Sequence, residues 1–529
     1  MERLREKQAS EYSTRALGSV AFLVQNFDTR VPFEQSSGPC CSRTLLYFGF
    51  LLAFITVFHV ATVRDGHLWG DDFAMYIHHA QNIVEGRPYA DTGYIYNPAI
   101  PVYGPRMYPP VFPLLLAPFY KIFGLSLLPM KMEQVFFIIL TLALVSILWH
   151  RYLGTTYCVA LLAILGFSPA FWWAKENILS DLPFLFFFYA VVCLLEWVPR
   201  GQKQCWTWSV VLGITLYFVI GTRTAGITLV PGLLLYQWWR YRRISRFTGV
   251  ALVVCAMALI AQNWFVGAVP GGYMEQLHSL TATTILLNAV RYTRTLAGFW
   301  VGGISSTFSF FIIAMVAPLI GAGLLCERGR GVATIHCLLA PYMLLMILWP
   351  FGAGIRYALP VIPWMVFLAL SGLRQLSARF WPRYPAGAAC ALLVLLGIPM
   401  IQFYRTTDFG PIRQSTGLPE FNALCDEVRR TTKPEDIFIY FRARALSLYA
   451  GRPASSYNQH GTAADFWAYA QTIHAKYLIT TDAFNEDGHF LAQYAETHPD
   501  NLDLAYQNPH FRMYRIRSLA HAATASPSR

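Results

Sequence analysis

Apolar runs of membrane-spanning length, separated by short basic segments, constrain this chain more than any other feature. The first, TLLYFGFLLAFITVFHVATV, covers Thr44 to Val63, and about 17–25 apolar residues in a helix are what a bilayer core requires. Further runs read as spans near 130–149, 156–174, 182–198, 206–221, 225–239, 248–267, 299–325, 332–350, 357–373 and 384–403. Only 13% of the residues are charged and 55% are hydrophobic, about half the charge of a soluble protein. The fold class is therefore a polytopic α-helical membrane protein of about eleven transmembrane helices.

The formal net charge of +12 raises nucleic-acid binding, but the positions of the basic residues exclude it. They sit between apolar runs, as in RYRRISR (Arg240 to Arg246) and RQLSARFWPR (Arg374 to Arg383), which is the pattern of cytoplasmic loops. The polar segment 1–43 carries Arg3, Arg5, Lys7, Arg15, Arg30 and Arg43. The first apolar run follows it too late for a cleavable signal peptide, so 1–43 reads as a cytoplasmic tail before an uncleaved span. Alternation from there places HRYLG (150–154), PRGQKQ (199–204), RYRRISR, CERGRG (326–331) and RQLSARFWPRYP on one side. That count holds only if VFPLLLAPFYKIFG, Val111 to Gly124, is not a span. Its length and its prolines, Pro113 and Pro118, make it a membrane-surface piece.

Three stretches then face the exterior: a first loop at 64–130, a medium loop at 268–298 containing PGGYMEQLHS and RYTR, and everything from Tyr404 onward. The membrane domain is 44–403. Past it the long apolar blocks give way to short strand-like runs (DIFIYF, KYLITT, FRMYRI) between helical stretches, the pattern of a small exterior α/β domain over 404–518, with a disordered tail at 519–529. The ten cysteines form no C-x-x-C pair and only Cys425 lies in that domain. A disulfide within it is impossible, and the pattern argues against a cysteine zinc site.

The chemistry concentrates at exterior membrane edges. In HLWGDDFAMYIHHAQNIVEG, His67 to Gly86, two carboxylates, Asp71 and Asp72, stand where the chain has just left the membrane. On a helix starting there, Met75, His78 and Asn82 continue the face of Asp71, and Tyr76, His79 and Ile83 that of Asp72. Asp71 can be a helix N-cap stabilised by the dipole. It can equally be a general base that takes a proton from an attacking hydroxyl, and carboxylates near a bilayer tend to be functional. Asp181, in KENILSDLPFLFFF, has the same two readings, because Ser180-Asp181-Leu182-Pro183 is a natural helix start. Arg106 in GPRMYPP, Arg223 in GTRTAG and Arg356 in GAGIRYALP lie on the side that disfavours basic residues. Snorkelling explains such arginines, and so does a bound phosphate, which a guanidinium matches in two places at once. His67, Asp71, His78 and His79 match no metal-ligand spacing, and no nucleotide-binding loop is present.

W-x-D-D-x-x-x-Y-x-x-x-A-x-x-I-x-x-G, Trp69 to Gly86, resembles the first-loop signature of GT-C membrane glycosyltransferases, in particular the protein O-mannosyltransferases (glycosyltransferase family 39) and the aminoarabinose-lipid A transferases. YPPVFPLLLAPFYKIFG resembles their Pro-Pro segment, ENILSDLPFLFFF their second-loop Asp-x-Pro element, and GTRTAG and IRYALPVIPW later elements of the bacterial branch. The resemblance implies a sugar on a polyprenyl monophosphate as donor, an acceptor hydroxyl or phosphate on a protein, lipid or glycan, inversion at the anomeric carbon, and no metal cofactor. It implies a multi-pass protein of a bacterial inner membrane, with the active site and C-terminal domain on the periplasmic face. Asp71 maps to the general base and Asp181 to a supporting acid. Asp72 replaces the usual Glu. Arg356 and Arg223 become candidates for the lipid phosphate, with Arg106 and Tyr108. Tyr108 stands where the aminoarabinose transferases carry lysine, which argues against that sugar. Tyr76, His78, Glu176 and Tyr357 are candidate sugar or acceptor contacts. A flippase for lipid-linked sugars and a non-catalytic scaffold are the competing classes; the first calls for repeated broken helices with mid-membrane charges, and neither a repeat nor that placement is visible.

Overall fold

The computed structural model describes residues 40–68, 70–197, 205–267, 276–277, 279–302, 307–327, 333–352, 354–483, 491–497 and 499–517. The tail before residue 40, Trp69, the segment PRGQKQ, most of PGGYMEQLHS, the end of CERGRG and the tail from Ser518 lie outside the described residues.

The chain is mostly helical. Helix α1 (Cys40–Ala61) leads into a first loop that holds α2 (Asp72–Glu85), strand β1 (Tyr94–Ile95) and α3 (Val111–Phe123). The membrane body continues through α4 (Leu127–Gly166), α5 (Pro169–Lys175), α6 (Asp181–Trp197), α7 (Cys205–Thr222), α8 (Leu229–Tyr241), α9 (Arg246–Val266), α10 (Ala282–Val301) and α11 (Thr307–Glu327). It closes with α12 (Ala333–Leu348), the single turn α13 (Ile355–Ala358), α14 (Ile362–Phe380) and α15 (Pro385–Thr406). After it come α16 (Pro419–Thr431), β2 (Ile437–Ile439), α17 (Ala443–Ala450), β3 (Ala454–Ser455), α18 (Ala463–Thr472), β4 (Ala475–Thr481), α19 (Leu491–Thr497), β5 (Leu502–Gln507) and β6 (Phe511–Ile516).

Among the described residues five helices are long and apolar enough to cross a membrane: Thr44–Ala61 of α1, α4, α9, α11 and Ala386–Thr406 of α15. Phe50 on α1 and Trp264 and Phe265 on α9 are 75%, 89% and 88% exposed. Bare side chains of that size along long apolar helices fit a surrounding solvent of hydrocarbon. This is an integral membrane protein. Its interior is close-packed and aromatic: Trp149 stacks on Phe367 at 4.7 Å and meets Tyr189 edge-on at 5.6 Å, while the Tyr189 hydroxyl donates to the Pro360 carbonyl at 2.9 Å.

Several span limits differ from the sequence reading, each for a local reason. α4 runs through 130–149 and on to Gly166, broken only where Gly154 takes φ 69°, a conformation that L side chains avoid. The expected span 156–174 stops at Gly166 because Ser168 caps a new helix, accepting the Phe171 N–H, with Pro169 in its first turn. The expected span 299–325 is two helices. α10 begins inside the stretch read as a loop at 268–298, capped by Thr281, and ends at the left-handed Gly302. Asn288, mid-way along α10, anchors it by donating to the carbonyls of Ile347 (3.1 Å) and Trp349 (2.6 Å). The short segment after Pro110 is the helix α3, whose buried Phe112 and Leu116 share a core with Phe73 and Ile77 of α2.

The strands form one six-stranded sheet in the order β1-β3-β2-β4-β6-β5, with β1 through β4 parallel and the last two pairings antiparallel. Its outermost strand, β1, belongs to the first loop, so the sheet is not confined to 404–518. Tyr94 pairs with Ala454 and Ile95 with Ser455. The Ser455 hydroxyl donates to the Ile95 carbonyl at 2.7 Å, and the Asn97 amide donates to the Ser456 carbonyl at 3.1 Å. One apolar core joins Phe73, Ile77 and Phe112 of the first loop to Phe421, Ile439, Tyr440 and Leu446. Each fully buried Phe or Leu contributes about 1.5–3 kcal/mol, so the loop and the sheet are fastened by packing as well as by hydrogen bonds.

Candidate active site

The site forms where the first loop, the ends of the membrane helices and α17 meet. Asp71 occupies the N-cap position of α2, but its side chain makes no capping bond to that helix. It reaches α17 instead. One carboxylate oxygen accepts the Arg444 N–H at 3.1 Å and the other the Ala445 N–H at 2.9 Å. These are two of the donors that every helix leaves open at its first turn. α17 has Arg442 at its own N-cap and no side-chain cap of its own. Asp71, 373 residues earlier in the chain, fills that role.

Asp72 starts a row of alternating charges. Its Oδ1 accepts from the Tyr108 hydroxyl at 2.7 Å and from Arg444 Nη1 at 3.1 Å; its Oδ2 accepts from Arg356 Nη1 at 3.1 Å. Arg356 Nε also donates to Asp181 Oδ2 at 3.1 Å, and Arg223 pairs with Asp181 Oδ1. The order is Arg444, Asp72, Arg356, Asp181, Arg223. Tyr357 lies under the Arg223 guanidinium, 5.1 Å from its carbon to the ring centre. Tyr108 stacks on Tyr76 at 4.3 Å, and the Tyr76 hydroxyl hydrogen-bonds Ser180 at 3.0 Å. A cavity of about 260 Å³ opens onto Asp71, Asp72, Arg356, Arg442, Arg444 and Asn177.

The two adjacent aspartates are driven apart electrostatically. Burial raises the Asp71 carboxyl above its ordinary value, against the pull of Arg444, Arg442 and the two backbone N–H groups. Burial acts on Asp72 in the same sense, but Arg356, Arg444 and the Tyr108 hydroxyl outweigh it and hold this carboxyl at about 2. Asp72 is a fixed anion and a poor base. Asp71 is the better proton acceptor, and it lines the cavity. Environments that separate two neighbouring carboxylates in this way are how acid–base roles are divided.

The histidines of the first loop serve as clips. His67 donates from Nδ1 to the Leu68 carbonyl (2.9 Å) and accepts the Ile178 N–H at Nε2 (3.1 Å), stacked on Phe73. His79 bridges the Tyr89 carbonyl (2.8 Å) and the Tyr108 N–H (3.2 Å). Burial lowers both to about 3, so both are neutral at pH 7. Among the described residues no three His, Cys, Asp or Glu side chains converge on a point that could hold a metal ion.

The structure thus brings together Asp71, Asp72, Asp181, Arg223, Arg356, Tyr76, Tyr108 and Tyr357. It does not bring Arg106, His78 or Glu176 to them. Arg106 is exposed and lies over the Tyr96 ring at 5.4 Å. His78 is buried with Arg87, Asp91 and Glu85 as its charged surroundings. Glu176 is fully buried between Lys131 (3.1 Å) and Lys175, and it accepts the Arg64 N–H at 3.3 Å. The residue the sequence reading missed is Arg444. Its signal was present in FRARALSLYAG: a helix start with arginine where Ser, Thr, Asp or Asn is expected.

No protein-family model and no curated protein sequence matches the chain. Solved structures do. ArnT from Cupriavidus metallidurans bound to undecaprenyl phosphate superposes with a TM-score of 0.56 at 14% identity, over 89% of this chain and 97% of that one. AglB, the oligosaccharyltransferase of Archaeoglobus fulgidus, in complex with an inhibitory peptide and a dolichol-phosphate, gives 0.51 at 13% identity over 82% and 69%. The mycobacterial arabinofuranosyltransferase AftD gives 0.56 at 13% identity over 90% of this chain and 42% of its own. All are GT-C glycosyltransferases. The fold of this chain is the GT-C fold.

Proposed function

We propose that the protein is an inverting glycosyltransferase that moves a sugar from a polyprenyl-monophosphate donor to an acceptor on the exterior face of the membrane, with Asp71 as general base. The observation that carries this reading is the row of alternating charges beside Asp71. Two arginines, Arg356 and Arg223, held in register by Asp72 and Asp181, form a preorganised cradle for an anion that is lipid-borne. The neighbours ArnT and AglB are bound to polyprenyl phosphates, and the same class of ligand suits Arg356 and Arg223 at the ends of membrane helices.

The chemistry follows. The acceptor oxygen attacks the anomeric carbon from the cavity side while the bond to the phosphate oxygen breaks on the other side. Asp71 takes the acceptor proton. The donor phosphate carries one negative charge before transfer and gains another as the bond breaks, so the arginines hold the departing group more tightly than the donor. Interactions of that kind accelerate the chemical step. Asp72 and Asp181 keep the guanidiniums ordered when the site is empty. A nucleotide is not required, because the lipid phosphate is itself the leaving group.

The test is release of free polyprenyl phosphate by protein in liposomes, offered a panel of polyprenyl-phosphate sugars with crude envelope acceptors. Release by the wild type, abolished in Asp71→Asn at normal expression, is expected. Wild-type-like release by Asp71→Asn would remove the general-base assignment, and no release from any donor by folded protein would count against the transferase reading.

A further inference from the structure

Arg444 lies outside the membrane body, yet it is the most enclosed cation of the site, 3% exposed. Its guanidinium donates to Asp72 Oδ1 (3.1 Å), the Tyr108 hydroxyl (3.0 Å), the Pro105 carbonyl (3.2 Å) and the Tyr103 carbonyl. Its carbon sits 4.6 Å from the Tyr94 ring centre and 5.4 Å from that of Tyr108. Every one of these partners belongs to the first loop. Its own backbone N–H meanwhile holds Asp71. A buried guanidinium is tolerated only where such acceptors replace its water, and here they also fix its direction.

We propose that Arg444 is a positioning residue: together with the start of α17 it sets the orientation and charge of the Asp71–Asp72 pair, so that the C-terminal region completes the transfer centre. The catalytic meaning rests on the transferase reading; the electrostatic claim does not. With four acceptors already engaged, Arg444 does not grip a substrate. It removes Asp72 from competition for the proton by pairing with one of its oxygens, and leaves the other oxygen to Arg356. The N–H groups of residues 444 and 445 pin both oxygens of Asp71, and the positive end of the helix favours its ionised form. Without Arg444, Asp72 keeps only Arg356 as a cation, and Arg356 has to divide itself less evenly between Asp72 and Asp181.

Two readouts on the full-length protein test this separately. In infrared difference spectra, the carboxyl band absent from Asp71→Asn is titrated in wild type, Arg444→Gln and Arg444→Lys. Loss of a cation beside a carboxylate raises its pKa, so the band should titrate about one pH unit or more higher in Arg444→Gln; an unchanged titration overturns the proposal whether or not turnover has been found. In the liposome assay, Arg444→Gln should lower kcat by about 100-fold, with donor KM within about threefold, and should move the acid limb of kcat/KM upward. Arg444→Lys keeps the charge but not the planar fork. It should retain the wild-type acid limb at reduced kcat, and it serves as the working variant should the glutamine form not fold; wild-type kcat in it overturns the proposal. Ser455→Ala loosens the strand pairing without touching the aspartates. It should leave the acid limb in place, and a shift there equal to that of Arg444→Gln would make the effect merely structural and overturn the assignment.

Discussion

Replacing Asp72 by Asn keeps the shape of the side chain and removes the charge that holds Tyr108, Arg444 and Arg356. The fall of its carboxyl from the ordinary 3.8 to about 2 corresponds to about 2.4 kcal/mol of stabilisation at about 1.36 kcal/mol per pH unit. The side chain is 33% exposed, and solvent screening reduces this to about 1–1.5 kcal/mol. The sign is fixed by the direction of the shift. A depressed folded-state value gives stability that is complete above the unfolded value, near 3.8, and lost as pH falls through about 2. Thermal melts of wild type and Asp72→Asn in detergent should therefore be separated at pH 5 and above, and converge between about pH 4 and pH 2. A second consequence runs the other way. Arg356, relieved of one of its two carboxylates, should bind free polyprenyl phosphate several-fold more tightly in the variant, measured by lipid-phosphate titration, while turnover falls because the guanidinium is no longer held in register. A melt difference independent of pH, or weaker phosphate binding, would refute the view of Asp72 as a fixed counter-ion.

The other predictions use the same geometry. Arg356→Ala should weaken donor binding by about 10- to 100-fold, the loss of one or two charge-assisted hydrogen bonds, read by equilibrium binding; an unchanged affinity retires its phosphate role. The rate kcat/KM should fall on acidification through a value above that of an ordinary aspartate, because burial raises Asp71 and only its ionised form accepts the proton; a profile flat down to pH 4 would contradict this. Glu176→Gln removes the carboxylate that Lys131 and Lys175, both fully buried, share as their ion-pair partner and should cost about 3–5 kcal/mol of stability, seen as a lower melting temperature with donor affinity retained in the folded fraction.

The residues that were legible in the sequence are those whose charge was out of place. Asp71, Asp72, Asp181, Arg223 and Arg356 stand at the ends of apolar runs in a chain with few charges, where burial or a snorkelling path has to be explained. Their pairing was not legible. Nothing in the spacing says that Arg356 divides itself between acids 284 and 175 residues away. Arg444 was hidden for the opposite reason: it lies in a region of ordinary polarity, where an arginine attracts no notice. Only the missing cap of α17 marked it, and a cap supplied from a distant loop has no sequence signature. Glu176 was visible as a polar residue but not as the hub of Lys131 and Lys175. The kinks failed locally, since periodicity does not distinguish a span interrupted at Gly154 or Gly302 from two separate ones.

The pairing of Tyr94 with Ala454 bears on when the site is assembled during synthesis. The hydrogen bond from Ser455 to Ile95 spans 360 residues of chain, and a ribosome adding about 5–20 residues per second needs roughly 20–70 s to produce that length. Throughout that interval the first loop has emerged, but the strand beside it and the helix end that holds Asp71 have not been made. A nascent chain, or one truncated before residue 443, consequently carries the acidic pair without the helix end and strand that hold it.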